Sequence, residues 1–122
     1  MKPIVGLSIA DDHAEDEIAH RLKAFGINVL RFDHNGAGRW DTLNNVGWVR
    51  KRVVCVIDDD NDMAMHATDL GFHAIQWSPA DLAWHLKNDG EGNVLAETVD
   101  LFAQVAQLLK DWRDRTRAER RT

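Results

Sequence analysis

The chain of 122 residues has no tyrosine, a single cysteine (Cys55) and two prolines, and these scarcities exclude several classes at once. One cysteine cannot form an internal disulfide, so a cystine-stapled secreted scaffold is ruled out and a reducing, cytoplasmic setting is the expectation. No apolar run approaches the roughly 20 residues that cross a bilayer. The opening stretch Ile4-Val5-Gly6-Leu7 breaks at Asp11-Asp12 and reads as a first strand, not as a signal-peptide core. The six histidines include no pair at the tight helical spacing of a zinc site. Gly36-Ala37-Gly38 lacks the Lys-Ser/Thr of a phosphate loop.

What is present is ordinary globular composition, 44% apolar and 29% charged, in a length that holds one core. The net charge of −5 argues against nucleic-acid binding by the body of the protein. The sign is uneven: residues 113–122 carry five arginines against Asp114 and Glu119, a local +3 that leaves −8 for the rest. This basic tail reads first as a solvated helix end and second as a contact for phosphate or an acidic partner, and nucleic acid is not expected except through it.

Strand and helix patterns alternate. Pro3–Ala10, Ile27–Phe32, Val53–Ile57 and Phe72–Trp77 read as strands, the third β-branched and free of charge. Between them, Asp11 or Asp12 caps a helix bearing Ala14, Ile18, Leu22 and Phe25 and ending at Gly26. Trp40–Arg52 reads as a poor helix interrupted by Gly47. Asn61 or Asp62 is expected to cap a helix over Met63–Leu70, and Ser78-Pro79 opens another through Trp84. After a turn at residues 88–93, Leu95, Val99, Phe102, Val105, Leu109 and Trp112 mark a long helix from Val94 to Arg117. The expectation is a single three-layer α/β domain with a mostly parallel sheet of about four strands. Residues 1–93 would form the core, and 94–122 a C-terminal helix and basic tail of the same domain. That helix packs on the sheet or, alternatively, forms an oligomer or partner interface.

Chemistry concentrates at Asp58-Asp59-Asp60-Asn61-Asp62, directly after the strongest strand. Open α/β sheets bind ligands at strand carboxyl ends, and a divalent cation relieves repulsion between adjacent carboxylates. Asp58, Asp59 and Asp62 are the candidate metal ligands, with Mg²⁺ the expected ion. Cys55 is expected to be buried and inert, His13 to lie on a solvated helix start, and Trp40 and Trp48 are candidates for ligand or partner contact.

The stretch Val53–Trp77 (apolar strand, paired aspartates, short helix, Leu70-Gly71, strand) resembles the fourth motif of haloacid-dehalogenase-like phosphohydrolases. Leu7-Ser8-Ile9 with the helix after it is similar to that family's second motif. The resemblance implies that Ser8 holds a phosphoryl group of a small molecule or protein, that Arg39 neutralises it, and that Asp58 and Asp59 hold Mg²⁺. The family's nucleophilic Asp-x-Asp strand has no counterpart. The implied function is a phosphohydrolase-like domain that is completed by another chain or does not catalyse. Two alternatives stand beside it. One is a non-enzymatic interaction module acting through the C-terminal helix. The other is a receiver-like signalling domain, similar in placing Asp11-Asp12 after the first strand and Asp58 after the third.

Overall fold

The computed structural model describes residues 2–34, 38–77 and 91–121, the last segment without the side chains of 91–100, 120 and 121. The expected helix after Ser78 and the turn at 88–90 lie outside the described residues. Among the described residues, four strands form one all-parallel sheet: β1 (Ile4–Ser8), β2 (Asn28–Arg31), β3 (Val53–Asp58) and β4 (Ala74–Gln76), in the order β2-β1-β3-β4. The α/β architecture expected from the sequence is present, with helices α1 (Asp12–Ala24), α2 (Arg39–Asn45), α3 (Gly47–Arg50), α4 (Asn61–Asp69) and α5 (Glu91–Arg121).

Every residue of β1 and β3 is buried, as two-sided coverage of a parallel sheet requires. Alternation sorts their side chains into two cores. Val5, Leu7, Cys55 and Ile57 face α1 and α5, meeting Ile18, Leu22, Leu101, Val105, Leu109 and Trp112. Ile4 and Val56 face the opposite layer, with Trp40 and Leu43 of α2 and Ala67 of α4. Gly6 points the same way. A Cβ there would stand 2.7 Å from Trp40 Cζ3 and 3.1 Å from Val56 Cγ1, so the bare backbone makes room for the indole.

The helix ends follow side-chain chemistry. Asp11, the first of the two expected caps, accepts from the Ala14 amide at 3.0 Å, and Gly26 ends the α1 turn at φ 79°. For α4 the cap is Asp60, neither Asn61 nor Asp62: its Oδ1 accepts from the Asp62 and Met63 amides at 2.8 and 3.2 Å. The uncertain 40–52 stretch resolves into α2 and α3, parted by extended backbone at Val46. α5 begins at Glu91, so residues 91–93, expected in a turn, are helical. Val105, Leu109 and Trp112 of its stripe lie in the core with Phe102 packed against them, and Trp112 Nε1 donates to the Lys51 carbonyl at 2.9 Å, tying the helix to the start of β3. No helix among the described residues is long and apolar enough to cross a membrane.

Candidate functional site

In the order β2-β1-β3-β4 the chain leaves β1 in one direction for β2 and then crosses to β3 on the other side. The crevice between the carboxyl ends of β1 and β3 is therefore the point where the topology reverses, the usual ligand position in open parallel sheets. Ser8 and Asp58 are paired residues at those two ends. Paired residues on neighbouring parallel strands share a face, and Ser8 lies two residues beyond Gly6, so both project into the α2/α4 layer.

Asp58 is wholly buried and densely bonded. Its Oδ2 accepts from Arg39 Nη2 at 2.7 Å, Arg39 Nε at 3.1 Å and Trp40 Nε1 at 3.1 Å, while Oδ1 accepts from the Asp60 amide at 2.9 Å. A carboxylate offers about four lone-pair sites, so Oδ1 alone keeps acceptor capacity. Arg39 is buried too, and its third nitrogen, Nη1, donates to the His34 carbonyl at 2.6 Å. The guanidinium thus ties the loop after β2 to the end of β3. Arg39 positions Asp58 and His34 with three of its five N–H groups, from a buried location. Trp40, expected at a ligand or partner surface, is instead fully buried as the other donor to Asp58; Trp48 is 67% exposed on α3.

Asp59 turns back across the end of β1, where its Oδ2 accepts from the Ala10 amide at 3.1 Å. Its Oδ1 stands 3.1 Å from His34 Nδ1. Among the described residues, three buried side-chain atoms have no hydrogen-bond partner: Ser8 Oγ, and His34 Nδ1 and Asp59 Oδ1, which form an ion pair when the imidazole is protonated. All three lie at the carboxyl ends of β1, β2 and β3. Native interiors leave few such atoms, and a site that receives a ligand is one place where they persist. His34, Asp58 and Asp59 each offer a ligand atom, all within 4.8 Å of one another. The amino ends of α1 and α4 face the same crevice and offset part of its negative charge.

Of the residues singled out from sequence, Ser8, Arg39, Asp58 and Asp59 therefore converge. Asp62 does not belong to the group; it is exposed in the first turn of α4. His34 was absent from the expected set. Its position three residues past β2 is a usable signal only once β2 is known to flank β1. His13 is exposed on α1, as expected.

An open depression of about 380 Å³ adjoins the site at His34 and is bordered by Asp12, Glu15, Arg31 and Asp33. Glu15 in its wall is buried and bonded on both oxygens: Oε2 accepts from the Ile9 amide at 2.9 Å and Oε1 from Arg31 Nε at 2.7 Å. That hydrogen bond to Glu15 holds the Arg31 guanidinium above its ordinary pKa. On the other face, burial pushes the Cys55 thiol up to about 12, which makes it a poor nucleophile. No family model, curated protein or solved structure matches the chain.

Proposed function

We propose that the chain is a phosphohydrolase-like domain that binds a divalent cation, with Mg²⁺ the reference ion, together with a phosphoryl-bearing ligand, and that lacks the usual nucleophile of such enzymes. Asp59 Oδ1 and Asp58 Oδ1 hold the cation, and the Ser8 hydroxyl donates to a phosphoryl oxygen. The observation that carries this reading is the buried Ser8 Oγ, which has no hydrogen-bond partner, beside the Asp58 and Asp59 carboxylates at the reversal point of the sheet. A bound cation would supply charge neutralisation between the carboxylates and the phosphoryl group. The chain's own residues bind and orient: Arg39 fixes the Asp58 carboxylate, and Asp60 caps α4 so that its amide faces Asp58.

Two features favour the non-catalytic form over completion by a second chain. β1 is hydrogen-bonded on both edges, by β2 and β3, so an added strand can join the described sheet only beyond β2 or β4, away from Ser8. Asp58 is 0% exposed with Oδ2 bonded by three donors, which also makes it unsuited to the phosphoacceptor role of a receiver-like domain. Against the interaction-module alternative, Val105, Leu109 and Trp112 of the helix stripe are used by the core.

Isothermal titration calorimetry tests the proposal. Mg²⁺ should bind at one site, inorganic phosphate should bind more tightly with the ion present, and Asp59→Asn should weaken both. Absence of ion binding in the wild-type protein would remove the proposal, and phosphatase turnover by the isolated chain would remove its non-catalytic part.

A further inference from the structure

His34 Nδ1 and Asp59 Oδ1 face each other at 3.1 Å, an ion pair when the imidazole is protonated, yet neither atom has a hydrogen-bond partner. The separation matches the edge of a coordination polyhedron: two ligand atoms at about 2.1 Å from one ion and at right angles to each other stand about 3 Å apart. Asp58 supplies a third ligand atom within 4.8 Å. The buried, unpartnered Ser8 Oγ on the same sheet face is an independent sign that a polar guest completes the crevice. The loop carrying His34 is anchored by Arg39, whose Nη1 holds the His34 carbonyl while Nε and Nη2 hold Asp58. One guanidinium therefore sets the imidazole and a carboxylate against each other at a fixed spacing, as a preformed site requires.

Resting on the cation site proposed above, we propose that His34 Nδ1 is a direct metal ligand and that the site is selective for a nitrogen-accepting ion, Mn²⁺ over Mg²⁺. Carboxylate, hydroxyl and water oxygens serve both ions, whereas an imidazole nitrogen is a good ligand for transition metals and a poor one for Mg²⁺. The His34 side chain is 28% exposed and Asp59 11%, so an ion has a route in from the adjoining depression and keeps coordination positions for water or a phosphoryl oxygen.

The test uses the full chain, Mn²⁺ and Mg²⁺ as probes, and His34→Gln, which leaves the backbone carbonyl bonded to Arg39 in place. Calorimetry should give Mn²⁺ at least ten-fold tighter than Mg²⁺ in the wild-type protein. His34→Gln should weaken Mn²⁺ by ten-fold or more and Mg²⁺ by less than three-fold. Independently of any variant, electron spin echo modulation of the wild-type Mn²⁺ complex should show a directly bound imidazole nitrogen. Mn²⁺ binding without that nitrogen signal, or a Mn²⁺ preference below ten-fold, overturns the role of His34 and leaves the carboxylate site standing. Binding of neither ion overturns the role of His34 and the cation site together.

Discussion

Replacing Ser8 by alanine should make the unliganded protein more stable, the reverse of the usual result for a core substitution. Ser8 is 0% exposed, and its Oγ has no hydrogen-bond partner. A buried hydroxyl left unsatisfied costs about 1–3 kcal/mol, because it has given up water and gained nothing. Removing one oxygen opens a void of about 10–15 Å³ at most, and at about 24 cal/mol per Å³ that costs about 0.3 kcal/mol. The alanine variant should therefore gain about 1–2 kcal/mol, which for a domain of this length raises Tm by roughly 3–8 °C. Urea denaturation followed by circular dichroism should show a higher midpoint with an unchanged m-value. The same variant should lose phosphate binding measured in the presence of Mn²⁺ or Mg²⁺. Gain of stability with loss of binding is the signature of a group kept for a ligand at the fold's expense. A lowered midpoint would refute the reasoning, since it would show that the hydroxyl is satisfied within the native fold.

Arg39→Ala leaves Asp58 buried without its cation and frees the His34 loop; it should cost about 3–5 kcal/mol, read from urea midpoints, and the double variant Arg39→Ala/Asp58→Asn should recover part of that loss. Cys55 should resist thiol reagents at pH 8 in the native protein and react once urea unfolds it. Because its folded pKa of about 12 lies above the ordinary value of 9.0, the unfolded thiol ionises first. Stability from this group is thus complete below pH 9 and falls as pH rises through 9 towards 12, by up to about 1.4 kcal/mol per pH unit. Cys55→Ala should flatten that alkaline decline in a pH series of urea midpoints. Deleting residues 94–122 should unfold the domain and abolish its cooperative thermal transition, because Leu101, Val105, Leu109 and Trp112 belong to the core. A folded truncated protein that merely fails to self-associate would instead favour an interaction role for α5.

Much of the fold is written in local pattern. The charge-free run from Val53 to Ile57 and the Ala14-Ile18-Leu22 spacing specify their elements without reference to the rest of the chain. Boundaries set by non-local pairing are less legible: β4 keeps only Ala74–Gln76 of the six residues expected, since β3 pairs with no more of it. The site was half legible. Three aspartates after an apolar strand announce themselves, and the exclusion of Asp62 follows from Asp60 taking the cap. Strand order is a tertiary property, and it alone brings the loop after β2 over the ends of β1 and β3. Hence His34 could not be picked out, and Arg39 read as a free cation instead of the buried partner of an aspartate 19 residues on. Trp40 read as a ligand or partner contact because it lies in the least regular segment; the space left by Gly6 makes it core.

The most direct test of the central claim, that a cation binds where β1 and β3 end, is a Mn²⁺ titration of the ¹⁵N-labelled protein followed by amide line broadening. Broadening at low Mn²⁺ should begin at Ser8–Ala10, His34 and Asp58–Asp60 and should vanish in Asp59→Asn. Broadening that begins elsewhere, at Asp11-Asp12, at Asp41 or along α5, would contradict it.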